Sequence, residues 1–154
     1  MTHKITTFLW FDQQALEAAE FYISIFPNSR IDSINYYSEG GRGETGKVMT
    51  VNFTLDEVSF TGLNGGPVFQ FNPAISFVVT CEDQAEVDHY WEKLGEGGKY
   101  VECGWLTDRY GISWQIVPAA LMRLLNAPDT EKAKRVTQTM LKMKKLIISE
   151  LENA

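Results

Sequence analysis

The chain has 154 residues, 44% of them hydrophobic and 22% charged, and a net charge of −6 at pH 7. That is the composition of a folded domain rather than a disordered segment, and its acidity excludes a general affinity for nucleic acid or an anionic membrane. No apolar run reaches the roughly 20 residues of a membrane helix. Two cysteines, Cys81 and Cys103, make no disulfide framework, and the N-terminus lacks the apolar segment of a secretory signal. The expectation is a cytoplasmic protein with neither membrane nor nucleic acid as a partner.

Phe8-Leu9-Trp10-Phe11 is a run of strand formers broken by Asp12-Gln13-Gln14. Ala18, Phe21, Tyr22 and Ile25 then recur at helical spacing and define one face of a helix. Pro27-Asn28-Ser29 stops it. Residues 29–37 alternate, with Ile31, Ser33, Asn35 and Tyr37 on one side. Residues 38–46 hold four glycines among charged neighbours and read as a mobile loop. Residues 47–55 and 58–63 read as two strands of a hairpin turned at Asp56-Glu57. The first half is therefore β-α-β-β-β.

Asn64-Gly65-Gly66-Pro67 is a turn, and a second copy of the pattern follows it. Residues 74–80 read as a strand, and a helix opened by Asp83 or Gln84 carries Val87, Tyr90, Trp91 and Leu94. Those four positions are the apolar face of the first helix displaced by 69 residues, and the same displacement lays Phe77-Val78-Val79 over Phe8-Leu9-Trp10. A tandem repeat of about 70 residues follows, longer than solenoid units. Gly95-Glu96-Gly97-Gly98 ends the helix. Residues 103–118 read as an aromatic strand, a turn at Asp108-Arg109-Tyr110-Gly111, and an alternating strand. In that turn Asp108 can bond its own backbone and Gly111 can take a positive φ. In the last strand Ser113, Gln115 and Val117 face one way, and Ile112, Trp114 and Ile116 the other.

After Pro118 the pattern is helical. A short amphipathic piece covers 119–125. A last helix, capped by Asp129 or Thr130, is predicted to run to Leu151 with Val136, Met140, Met143, Ile147 and Leu151 along one stripe. At roughly 22 residues it would span about 33 Å, enough to reach across to a second subunit.

His3 and His89 are the only histidines, and no HxxxH, HxH or CxxC spacing occurs, so no metal site is predicted. Cys103 has only Arg109 nearby to lower its pKa. Neither Asn64-Gly65-Gly66-Pro67 nor the glycines of 40–46 match a P-loop or a GxGxxG cradle, and nothing specifies S-adenosylmethionine. The aromatic residues carry more. Trp10, Phe53, Phe60, Phe71 and Trp105 fall on predicted strands, where alternation sends several to one face. An aromatic-lined hollow suits a small organic ligand, although each ring would serve equally in a packed core.

Leu9-Trp10-Phe11-Asp12, Leu63-Asn64-Gly65-Gly66-Pro67, Ala74-Ile75-Ser76-Phe77, Cys103-Gly104-Trp105-Leu106, Asp108-Arg109-Tyr110-Gly111 and Ser113-Trp114-Gln115-Ile116-Val117-Pro118 resemble the PhnB-like proteins. These carry the label 3-demethylubiquinone-9 3-methyltransferase and belong to the glyoxalase/bleomycin-resistance/dioxygenase (vicinal oxygen chelate) superfamily. Met140-Leu141-Lys142-Met143-Lys144-Lys145 is similar to the tail of that family. The resemblance implies an α+β fold of two tandem βαβββ modules plus a C-terminal helical extension. Its modules, 1–67 and 68–118, would form one domain over 1–118 around a cavity, with helices over 119–154, in a homodimer. In metal-using members four ligands come from the strands. Carried over, those places fall near Thr6 or Thr7, Asn64, Pro73 or Ala74, and Gln115, none of them a strong ligand for Zn²⁺ or Fe²⁺.

The reading favoured is a protein that binds a small organic molecule in an aromatic-lined pocket. Trp10, Asn64, Phe71, Ser76, Cys103, Trp105 and Gln115 are its candidate residues; no cofactor is expected, with a divalent metal left open for the enzymatic alternative. The alternatives are an enzyme acting on a quinone-like or vicinal-oxygen substrate, as the methyltransferase label has it, and a dimeric interaction module using the last helix.

Overall fold

Two copies of one plan make up the computed structural model, which describes residues 3–154. The first is β1 (Thr7–Phe11), α1 (Ala15–Ile23), β2 (Arg30–Tyr36), β3 (Val48–Leu55) and β4 (Val58–Asn64). The second is β5 (Ser76–Cys81), α2 (Gln84–Gly95), β6 (Lys99–Tyr100), β7 (Trp105–Thr107) and β8 (Ser113–Pro118). α3 (Ala119–Leu125), α4 (Thr130–Met140) and α5 (Ile148–Glu152) follow. The two sheets have the same strand order, β1-β4-β3-β2 and β5-β8-β7-β6. In each, the first and last strands pair in parallel and the other pairs are antiparallel. The predicted α+β fold of tandem βαβββ modules is met. The chain divides into two compact units, one ending at Phe71 and the other running from Asn72 to Ala154.

In the first unit, Leu9, Phe11, Val51, Phe53 and Phe60 are buried beside Ala15, Ala18, Ala19 and Tyr22 of α1. Small residues on α1 let it lie close to the sheet, and the Tyr22 and Phe53 rings stack at 6.4 Å. Burying each of those rings contributes on the order of 2–3 kcal/mol. Gln14, at the N-cap of α1, makes no capping bond. Asn64 takes over: its Oδ1 accepts the Ala15 N–H at 2.8 Å. The hairpin turn is Asp56-Glu57 as predicted, and both residues have positive φ, 44° and 68°, the signature of a type I′ turn. The alternation read across 29–37 fails at a bulge between Ile31 and Ser33. Asp32 is the extra residue, so Ile31 sits opposite Phe53 while Ser33 sits opposite Asn52, on the other face.

In the second unit the helices repeat at the expected offset, Ala15 corresponding to Gln84. The strands do not. Phe8 is 59% exposed, whereas Phe77 packs on Trp114 at 5.3 Å; Leu9 therefore corresponds to Val79 and Phe11 to buried Cys81. The turn from β5 to α2 is one residue shorter than that from β1 to α1, and in a strand one residue exchanges the faces. Asp83 caps α2, accepting the Glu86 N–H at 2.9 Å. The turn before β8 is built as predicted: Asp108 Oδ1 accepts the N–H groups of Tyr110 (2.8 Å) and Ile112 (3.0 Å), and Gly111 has φ 93°. Asp108 Oδ2 accepts the Trp114 indole N–H at 2.9 Å.

The single long C-terminal helix is not formed. It ends at Met140, and α5 begins only at Ile148. The intervening backbone is drawn elsewhere, because the carbonyls of Met143 and Lys144 accept the N–H groups of Cys103 and Gly104, each at 2.8 Å. The Gln84 side chain closes the far end, donating to the Leu146 carbonyl at 3.1 Å and accepting the Ile148 N–H at 2.8 Å. It also donates to Asp88. That bond, then one from Lys145, holds the Asp88 carboxyl below its usual range. Val136, Met143, Leu146 and Leu151 are buried in one cluster with Leu121 of α3. The apolar stripe read as a reach toward a second subunit is instead spent inside the second unit.

Candidate functional site

Each sheet packs one face against its own helix, and the opposite face carries exposed residues such as Phe8 on the first sheet and Val78 on the second. On the second sheet, cross-strand register sets Val78, Gln115 and Trp105 side by side on the open face, with Ser76 and Ser113 in the next row. Gln115 Nε2 donates to Ser76 Oγ at 2.9 Å, so these two candidates do meet. One amide hydrogen of Gln115, its carbonyl oxygen and the serine hydroxyl proton keep hydrogen-bonding capacity. Trp105 is half-buried, and its indole N–H makes no hydrogen bond to a described residue. Val78, 56% exposed, supplies the apolar neighbour.

Cys103 was expected on a strand and lies in a kink before β7. Its φ is 58° and that of Gly104 is 81°. A Cβ at Gly104 would stand 2.9 Å from the Ile116 carbonyl oxygen, so only glycine allows the chain to turn there. The backbone of Cys103, rather than its thiol, is engaged, through the bond to Met143. Its sequence neighbourhood with Trp105 is thus fixed from the C-terminal segment.

The three candidates of the first unit are occupied in other ways. Trp10 donates from Nε1 to the Gly66 carbonyl at 2.9 Å and meets Phe69 edge-on at 4.9 Å. Phe71 is not on a strand; it packs edge-on against Phe11 at 5.3 Å. Phe53 and Phe60 stack at 5.5 Å within the core and do not line an open face. Asn64, besides capping α1, donates to the Val48 carbonyl at 3.2 Å. It also lines a cleft of about 430 Å³ with Asp12, Gln13, Tyr37, Arg42, Lys47 and others. Sequence reading passed over this cleft, since its walls come from the β1–α1 turn and from residues 37–48. Residues 38–46, read as a mobile loop, are closed at the base by paired backbone bonds between Tyr37 and Gly46 or Lys47. The open face of the first sheet carries polar bridges that were also missed: Asn35 to Thr50, Asn52 to Ser33, Thr61 to Asn52, and Thr54 to Asp32.

The places implied for metal ligands do not fit a divalent transition metal. Asn64 Oδ1 is taken by a helix N–H and the Gln115 amide by Ser76. Among the described residues no group of three His, Cys, Asp or Glu stands together as a candidate metal site. His89 is exposed on α2 with its ring against Tyr90 at 4.9 Å. A methyl-donor nucleotide fits no better at the strand-to-helix junctions. Asp12-Gln13-Gln14 and Glu82-Asp83 contain no glycine to bring the backbone near a ligand. No helix of the described residues is long and apolar enough to cross a membrane.

A sequence profile of the family described as 3-demethylubiquinone-9 3-methyltransferase matches residues 3–117. Among solved structures, a PhnB protein from Bacillus cereus is 40% identical, with a TM-score of 0.70 over 76% of this chain and 100% of that one. Protein PA1353 from Pseudomonas aeruginosa is 17% identical, with a TM-score of 0.64 over 76% of this chain and 98% of that one. The fosfomycin resistance protein FosX from Listeria monocytogenes, in complex with Mn(II) and sulfate, is 12% identical, with a TM-score of 0.52 over 77% and 90%. The last two likenesses concern the fold. No curated protein matches the sequence.

Proposed function

The chain belongs to the PhnB-like family described as 3-demethylubiquinone-9 3-methyltransferase, and from that premise we propose that it is a member of the glyoxalase/bleomycin-resistance/dioxygenase superfamily that binds a small organic molecule without a metal ion. The observation that carries the reading is the Ser76–Gln115 pair beside Trp105 on the open face of the second sheet. An indole with a free N–H offers a stacking surface and one donor, while the amide and hydroxyl add a donor and an acceptor. That combination suits a flat, oxygen-bearing ring better than a phosphate or a charged peptide. A cytoplasmic homodimer remains part of the proposal.

Titration with a panel of quinones and phenols, followed by the Trp105 indole N–H signal in a nitrogen–proton NMR spectrum, tests it. Saturable shifts at Trp105, Ser76 and Gln115 are expected, unchanged by exhaustive chelation and lost in Gln115→Ala. Tight stoichiometric binding of Zn²⁺, Mn²⁺ or Fe²⁺, or heat of S-adenosylmethionine binding together with methyl transfer, would replace this reading with the enzymatic one.

A further inference from the structure

The cleft of the first unit lies apart from the Ser76–Gln115 pair in the chain and has a different chemistry. Asp12 stands on its β1–α1 wall; Arg42 and Glu44 flank Gly43 on the loop wall, and Lys47 closes the loop. None of these four side chains makes a hydrogen bond or ion pair with a described residue. Two charges of each sign thus ring a space of about 430 Å³, within the roughly 300–1,000 Å³ of small-molecule pockets. The loop that carries three of them is held in place. Tyr37 donates from its hydroxyl to the Asn64 carbonyl at 2.5 Å. A Cβ at Gly43 would lie 2.3 Å from the Tyr37 ring, so glycine lets the loop settle on that ring. Arg42 and Glu44, one residue to either side, are positioned by the same contact, which lowers the ordering cost of binding.

From this we propose that the cleft is a second binding site, for a small zwitterion of the free amino acid class. A plain anion would find Arg42 and Lys47 but also meet Asp12 and Glu44; a plain cation would face the converse. A molecule with a carboxylate at one end and an ammonium nearby pairs both sets at once. Asn64 and Gln13 add neutral polar contacts, and Leu16 and Val48 an apolar side for a short side chain.

The test is a nitrogen–proton NMR titration of the full chain with each proteinogenic free amino acid, and with its N-acetyl and carboxamide forms. Saturable shifts of the Gly43, Gly65 and Gly66 amides by at least one free amino acid are expected, with neither blocked form reproducing them. Arg42→Ala and Asp12→Ala should each weaken binding on the order of tenfold, with a native-like spectrum confirming the fold. Lys145→Ala, in the other unit, should leave it unchanged. Absence of any response, equal response to the blocked forms, or full binding by Arg42→Ala with Asp12→Ala would overturn the proposal.

Discussion

Asp108→Asn is the most informative single change for the scaffold behind Gln115. Asp108 is 3% exposed, and its Oδ1 holds the Tyr110 and Ile112 N–H groups while Oδ2 holds the Trp114 indole. Asparagine keeps the shape and can keep the Oδ1 bonds. Its Nδ2 hydrogens then face the indole N–H, donor against donor. Flipping the amide is worse, because it sets the same clash against two backbone donors. The loss is one hydrogen bond to a charged group plus an unsatisfied buried donor, about 2–4 kcal/mol. For a chain of this length that lowers Tm by roughly 4–16 °C. Urea unfolding read by circular dichroism measures it. In a Trp114→Phe background the clash vanishes, so the cost of Asp108→Asn should shrink by more than half. Equal cost in both backgrounds, or less than about 0.5 kcal/mol in the parent, would refute the account of the turn.

Gln84→Ala removes the bridge to the Leu146 carbonyl and the Ile148 N–H, and should cost about 1–3 kcal/mol; hydrogen exchange at Ile148 should accelerate while amides of the first unit stay as they were. Glu57→Gly should stabilise the hairpin by about 0.5–1 kcal/mol, since Glu57 holds a positive φ that glycine adopts without strain; a lower urea midpoint would contradict the type I′ assignment. Burial, then the nearby Glu86 and Asp83 carboxylates, push the Cys81 thiol up to about 12. Below the ordinary thiol range the group contributes no pH dependence. As pH rises from about 9 the unfolded chain ionises first, so stability falls. Cys81→Ala should flatten that alkaline slope, and an unchanged slope would assign it to other groups.

What the sequence made legible was local or periodic. The turn chemistry of Asp108 and Gly111, the cap at Asp83, and the helical face of α2 depend on residues within a few positions of each other and were met, while on α1 Ala18 and Tyr22 are buried as read, Phe21 is half-buried and Ile25 lies past the end of the helix. The errors came where one residue of register decides a face. Asp32 in the β2 bulge reversed Ile31 relative to Ser33, and the shorter β5–α2 turn reversed the strand overlay. Aromatic strand residues were visible, but periodicity could not say that Phe53 faces α1 while Trp105 faces the opening. Of the candidate residues, Ser76, Trp105 and Gln115 come together because they share one face of neighbouring strands, which β8 alternation had half stated. The charged cleft was beyond such reading, because it joins residues 12–16 to residues 37–48.

The break in the C-terminal helix shows what a stripe of apolar residues leaves undetermined. Val136, Met143 and Leu151 point inward as the spacing required, and Leu146, off the predicted stripe, is buried with them. A continuous helix would have kept the Met143 and Lys144 carbonyls for its own next turn. The backbone N–H groups of Cys103 and Gly104, at the kink before β7, pair with those carbonyls rather than with a strand of the second sheet. The two bonds at the kink and the two made by the Gln84 side chain take the place of the hydrogen bonds that about two further turns of helix would make. The family match ends at residue 117, so the segment that fixes the backbone entering β7 lies outside it.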